Sequence, residues 1–239
     1  MRNPEPISIT HDDELYEQIM SRMKEKLGVG KPREGTHVSD LLYCSLKSWA
    51  KKQLGLLPDA AGLLGEDDDQ VLVWVVGRSH EDMFGGDFIH GMPEEKDGII
   101  GTIDFAGERL IEAKSTRYSS KKWLDEMPHY IAQAASYAYM HDQTEVNVLV
   151  FHIQGDYYHQ TKEGKAKKAG PKAHLRIYKV RFEKKELKKW WRELQRRKGI
   201  YEGAEKPKVE EYPELIPVYE WECGFCKVGG LVGCPMWKE

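Results

Sequence analysis

The run Gly101-Thr102-Ile103-Asp104-Phe105, followed after a short turn at Ala106-Gly107-Glu108 by Leu110-Ile111-Glu112-Ala113-Lys114, decides how the chain is read. It predicts a β-hairpin in which Ile100, Ile103 and Phe105 pair with Leu110, Ile111 and Ala113, with Gly107 at a turn position that calls for positive φ. Side chains on a strand alternate between faces, so Glu112 and Lys114 share one side, away from Ile111 and Ala113, and Asp104 can lie across from them. Two carboxylates held close together repel unless a cation sits between them, and hard divalent ions such as Mg²⁺ or Mn²⁺ prefer such oxygen ligands. An ammonium beside the metal can orient an attacking water and stabilise charge growing on a phosphoryl oxygen. The same residues in isolation also describe an exposed hairpin with solvated charges, so the rest of the chain must weigh the two readings.

The chain has 239 residues, 40% hydrophobic and 31% charged, which suits one soluble globular domain with a real core. No run approaches the ~20 apolar residues of a membrane helix, and Met1-Arg2-Asn3-Pro4-Glu5 lacks a signal peptide's apolar stretch, so a cytoplasmic protein with no membrane partner is expected. The net charge of -3 conceals an asymmetry, because residues 162–198 hold 16 Lys and Arg against 4 Glu, a net +12. Such a basic stretch on an acidic body is either a solvated surface or a contact for a phosphate backbone, with Lys162, Lys165, Lys167 and Lys168 the candidate contacts.

Thr10 can cap a helix to Leu27, with Leu15, Ile19, Met23 and Leu27 at helical spacing. Ser39 can cap a second helix whose apolar side includes Leu42, Leu46 and Trp49, with Cys44 near its first turns. Residues 59–70 read as an acidic loop, and Val71 to Val76 as a strand or as the start of a buried helix running through His80. After the hairpin, Ser115 to Met127 is a polar connection containing Arg117, Lys121, Lys122 and Trp123. Pro128 then opens a helix to Met140 that places Gln133 and Tyr137 on one face and uses Ala132, Ala135 and Ala138 for close packing on a sheet. Strands follow at Val146–Ile153 and His174–Phe182, joined by a Lys- and Gly-rich loop at residues 155–171. A last helix over Glu183–Lys198 is expected to bury Leu187, Trp190, Trp191 and Leu194 and to expose a basic face.

The four cysteines are more consistent with metal ligands or free thiols than with disulfides in a reducing compartment. Cys223-Gly224-Phe225-Cys226 is followed seven residues later by Cys234-Pro235, a spacing that predicts metal ligation, and Cys44 is the only other thiol. Four thiolates suit Zn²⁺ or an iron-sulfur cluster, and the count does not choose between them.

Taken together, Leu42-Tyr43-Cys44, Gly77-x2-His80, Gly101-x2-Asp104, Glu112-x-Lys114, Gln133-x3-Tyr137 and the terminal Cys223, Cys226 and Cys234 resemble, in this order, the RecB-like nucleases that carry an iron-sulfur cluster, and among them the CRISPR-associated exonucleases of the Cas-four type. The resemblance spans residues 36–239. It implies an α/β PD-(D/E)xK fold, with a mixed central sheet flanked by helices. A nuclease core at residues 70–200 would be joined to cluster-binding elements at 36–55 and 220–239, all in one domain. It further implies that His80, Asp104 and Glu112 bind Mg²⁺ or Mn²⁺ with the Ala113 carbonyl as a further ligand, that Lys114 positions the water, and that Gln133 and Tyr137 support the site. One [4Fe-4S] cluster is expected on Cys44, Cys223, Cys226 and Cys234, with [2Fe-2S] or Zn²⁺ as alternatives. The function so implied is a metal-dependent exonuclease on single-stranded DNA or overhangs, in CRISPR adaptation beside an integrase or in viral or repair recombination. The alternative is a non-catalytic nucleic-acid-binding subunit that docks on an integrase or helicase. The seven-residue gap before Cys234 and the basic loop at residues 155–171 stand apart from that family's pattern.

Overall fold

The computed structural model describes residues 13–27, 34–53, 75, 90–117, 120–153, 173–208, 219, 222–223, 226 and 228–236. The expected cap at Thr10, the acidic loop, His80 and the lysines of the 155–171 loop lie outside these residues. The chain is an α/β protein with a mixed sheet. In order, the elements are helix α1 (Asp13–Leu27), α2 (Val38–Leu41), α3 (Ser45–Gln53), strands β1 (Glu94–Lys96), β2 (Ile99–Gly101) and β3 (Ile111–Thr116), helix α4 (Pro128–Met140), strands β4 (Glu145–His152) and β5 (His174–Arg181), and helix α5 (Lys184–Glu202). A short 3-10 turn at Leu124–Glu126 leads into α4. Among the described residues no helix is long and apolar enough to cross a membrane.

The sheet has the order β3-β4-β5, with β3 parallel and β5 antiparallel to β4. Parallel neighbours need a crossover, and α4 supplies it between β3 and β4. Val146, Val148 and Val150 of β4 face α4 and α5 across the main core, where they meet Ala134, Ala138, Leu187, Trp191 and Leu194. On the reverse face Phe105, Ile111, Ala113 and Leu149 form a smaller cluster. The strand at residues 146–153, the strand at 174–182 and both long helices thus lie where their hydrophobic patterns put them, although α5 runs on to Glu202 and Trp190 stays half-buried.

The expected hairpin is where the structure departs most. Strand β2 pairs upstream with β1, Glu94 opposite Gly101 and Lys96 opposite Ile99. The turn between them is Asp97-Gly98, both left-handed at φ 53 and 72, the geometry of a two-residue hairpin loop. Of the pairing with residues 110–114 only one bridge survives, in which Phe105 and Ile111 exchange backbone hydrogen bonds of 3.1 and 3.0 Å. Gly107 does not adopt positive φ. The Asp-Gly pair captures β2 because it closes the shorter loop, and because α5 receives the turn: Trp191 Nε1 donates to Asp97 Oδ2 at 2.8 Å.

Residues 38–53 form two helices, not one. Helix α2 starts after His37, whose amide donates to Asp40 Oδ2 at 2.9 Å, so Ser39 is not the cap. The break at Leu42-Tyr43-Cys44 leaves carbonyls open at the end of α2, and the buried Arg197 side chain donates to Leu41 O (3.0 Å) and Leu42 O (3.2 Å). In α1 Met20 is buried, whereas Ile19 is 43% exposed.

Candidate active site and thiol region

Strand β3 brings the charged residues to the sheet face that α4 covers, because Glu112 and Lys114 stand opposite Val148 and Val150 of β4. Ile111 and Ala113 turn to the reverse face, as alternation requires. Asp104 lies on the segment just before the Phe105–Ile111 bridge, and its Oδ2 accepts a hydrogen bond from the Ala113 amide at 2.6 Å. Lys114 Nζ contacts Glu112 Oε1 directly, with the Glu112 carboxylate 1% exposed. From α4, Gln133 Nε2 donates to the Tyr137 hydroxyl at 3.0 Å. The backbone of β2 comes close to that helix: a Cβ on Gly101 would stand 2.6 Å from Met140 Sδ and 3.0 Å from Tyr137 Cε1, so a larger residue there would push the Met140 side chain aside.

Electrostatics bind these groups together. Burial opposes charge on Lys114, but Glu112, Asp104 and Tyr137 more than reverse it and hold the ammonium above the ordinary lysine pKa. Burial, then the Glu112 charge, raises the Tyr137 hydroxyl above its usual value in spite of Lys114 and the Gln133 hydrogen bond. Asp104, Glu112, Lys114, Gln133 and Tyr137 are therefore one constellation. Ala113 enters it through its amide. His80 lies outside the described residues, and His90, the histidine bridged to Phe105, sets its ring 5.0 Å from the Phe105 ring.

The carboxylates of Asp104 and Glu112 form an oxygen donor set of the kind that suits Mg²⁺ or Mn²⁺. Among the described residues no group of three or more His, Cys, Asp or Glu side chains is arranged to hold a metal ion.

The cysteines collect at another place. Cys44 is buried with Leu46, Trp49, Ala50 and Val228, and Cys226 and Cys234 pack against the same cluster. None of the four forms a disulfide. Burial pushes the Cys44 thiol up to about 12, against the hydrogen bonds of the Lys47 and Leu46 amides. Cys223 follows Glu222, and that residue ties the two ends of the chain: its buried carboxylate accepts the Cys44 amide at 3.2 and 3.1 Å, across 178 positions. The Tyr219 amide adds a third bond at 3.3 Å. Thiol donors suit Zn²⁺ or an iron-sulfur cluster.

Between the two regions lies an aromatic group, His129 with Tyr130 at 4.3 Å, Tyr219 at 5.6 Å and Tyr43 at 6.2 Å. Burial, opposed by Lys114, raises the Tyr43 hydroxyl to about 12, and burial with Lys114 lowers His129 to about 4. Tyr43 was visible beside Cys44. Glu222, His129 and Arg197 carried no signal in their own spacing, because their roles arise from contacts across distant segments.

No protein-family model and no curated protein sequence matches this chain. Among solved structures, the chain is similar to one described as the crystal structure of SSO0001, at 14% identity and a TM-score of 0.55, over 94% of this chain and 98% of that one. At that identity the likeness establishes a shared α/β fold.

Proposed function

We propose that the chain is a divalent-metal-dependent deoxyribonuclease that hydrolyses single-stranded DNA or overhangs. The observation that carries this reading is Lys114 paired with the buried Glu112 carboxylate and held as an ammonium by Glu112, Asp104 and Tyr137. In the reaction a water oxygen bonds to phosphorus as the bond from phosphorus to the leaving sugar oxygen breaks; the water's proton passes to solvent and the leaving oxygen takes one up. Asp104 and Glu112 would hold the metal, with His80 and the Ala113 carbonyl as further ligands, and the bound ion supplies Lewis acidity toward phosphoryl oxygen and an activated water. Because Lys114 is already protonated, it is not the base. It orients the water and donates to the phosphoryl oxygen where charge grows, and Glu112 fixes its position. Gln133 and Tyr137 hold the α4 side of the site.

In the same reading Cys44, Cys223, Cys226 and Cys234 hold one [4Fe-4S] cluster, with [2Fe-2S] or Zn²⁺ as alternatives. Lys162, Lys165, Lys167 and Lys168 track the phosphate backbone. End trimming in CRISPR adaptation beside an integrase fits this chemistry, as does end processing in viral or repair recombination.

The test compares wild type with Lys114→Ala. Binding of a labelled strand is measured in Ca²⁺ and cleavage in Mg²⁺ and Mn²⁺. Binding is expected to persist while cleavage falls by ~100-fold or more, because the lysine acts mainly on the transition state. Wild type that binds strands and cleaves none in either metal would make the chain a binding subunit instead.

A further inference from the structure

Trp123 is 61% exposed, although it is one of the largest apolar side chains in the protein. It is nonetheless held in place: its amide donates to Glu126 Oε2 at 2.8 Å, the Glu126 amide donates back to Trp123 O at 3.1 Å, and the next residue, Leu124, is buried in the main core. Two side chains of β5 complete the group. The Arg176 guanidinium lies 5.1 Å from the Trp123 ring centre, and the Tyr178 ring meets Trp123 edge-on at 6.2 Å and 64°.

The register places this group relative to the candidate active site. Lys114 stands opposite Val150, and Val150 opposite Arg176; Glu112 stands opposite Val148, and Val148 opposite Tyr178. Arg176 and Tyr178 thus occupy the same sheet face as the catalytic pair, two strands across, about 10 Å by strand spacing. The exposed apolar residues Leu175 and Ile177 alternate to the opposite face, so Trp123 is not part of a continuous apolar patch of the kind that receives a protein. Its charged surroundings are mainly cationic. Arg117, Lys121 and Lys122 flank it in sequence; of the acids there, Asp125 is exposed and Glu126 is engaged with the Trp123 amide.

We infer that Trp123, with Arg176 and Tyr178, is a stacking platform for an unpaired base of single-stranded DNA whose backbone continues toward Lys114. The direction of that backbone rests on the nuclease reading above; the stacking itself does not. A held aromatic ring, 61% exposed and with a guanidinium over one face, offers its remaining surface to any base and charge to the adjoining phosphate. Bases inside a duplex are stacked on both faces, and only its end pairs offer one.

The experiment measures binding of a fluorescein-labelled oligothymidylate strand, and of a blunt duplex of equal length, to the full chain in Ca²⁺ at several salt concentrations. Trp123→Ala is expected to weaken strand binding by ~10-fold, the loss of one stacked base, and to leave duplex binding as in wild type. Trp123→Phe should restore most of the affinity. Arg176→Ala should lower the slope of log affinity against log salt by about 0.7, the contribution of one phosphate on a single strand. Wild-type strand affinity in a folded Trp123→Ala protein, or an equal loss for strand and duplex, overturns the platform. Cleavage by the same proteins separates the two ideas: wild type that loses affinity on Trp123→Ala but cleaves nothing keeps the platform and defeats the nuclease, whereas active Trp123→Ala with unchanged affinity does the reverse.

Discussion

At the Asp104–Glu112–Lys114 site, every proposed catalytic side chain except Asp104 stands on a strand or helix, whereas Cys44, Cys226 and Cys234 lie on connecting segments. The first region is positioned by the sheet ladder and by α4. Within it Lys114 supplies the counter-charge to Glu112. The second region is joined by the Glu222 carboxylate and a small apolar cluster. Its Cys44 thiol is buried, and burial pushes it up. The difference teaches that a ligand would do different work in each: chemistry at a preformed site in one, and cross-linking of distant segments in the other.

The sharpest way to break this contrast is Glu112→Ala. A carboxylate 1% exposed, paired to a half-buried ammonium, leaves that ammonium without its closest counter-charge when removed. Breaking a buried pair from one side typically costs about 3–5 kcal/mol. The midpoint of urea unfolding should fall accordingly in metal-free protein. A Glu112→Ala protein as stable as wild type would mean that the site is not preformed by its own charges.

A middle-sized effect is expected from Glu222→Ala, which removes the acceptor of the Cys44 amide. A buried donor left without its acceptor costs about 1–3 kcal/mol. Glu222→Gln keeps an acceptor oxygen and should recover most of that loss. The two variants also address the thiol region directly: iron and acid-labile sulfide, or zinc, measured per chain after anaerobic purification should fall in Glu222→Ala and persist in Glu222→Gln. Equal metal content in both would show that the thiols assemble without the Glu222 tie.

How legible these regions were follows from the same contrast. Alternation over Ile111-Glu112-Ala113-Lys114 and the i, i+4 spacing of Gln133 and Tyr137 are local, and both survive in the structure. Pairing is not local. Ile99 and Ile100 are apolar in either partnership, so their pattern could not choose between β1 and residues 110–114, and the Asp97-Gly98 turn decided it. The single helix expected from Ser39 failed for a related reason. Nothing in Leu42-Tyr43-Cys44 marks a break, because the carbonyls it opens are satisfied by Arg197, 155 positions away. The thiols were legible as a set from their spacing, but the carboxylate that joins Cys44 to the C-terminal segment was not.

The smallest expected effect all but vanishes at neutral pH and tests whether the aromatic group between the regions couples them. His129 is buried, and burial together with the Lys114 charge lowers it from the ordinary 6.5 to about 4. At pH 7 the imidazole is neutral in the folded chain and mostly neutral in the unfolded one, so it contributes little pH dependence there. As pH falls below 6.5 the unfolded chain takes up a proton that the folded chain refuses, and stability declines until the folded group also titrates near 4. His129→Phe keeps a ring among Tyr43, Tyr130 and Tyr219 and removes the proton. Its unfolding midpoint should differ between pH 7 and pH 4.5 by less than that of wild type. Lys114→Ala should shrink the same difference in part, because one of the two causes of the shift is then gone while burial remains. If Lys114→Ala leaves the acid sensitivity of wild type untouched, His129 is depressed by burial alone, and the aromatic group packs between the two regions without carrying charge from one toward the other.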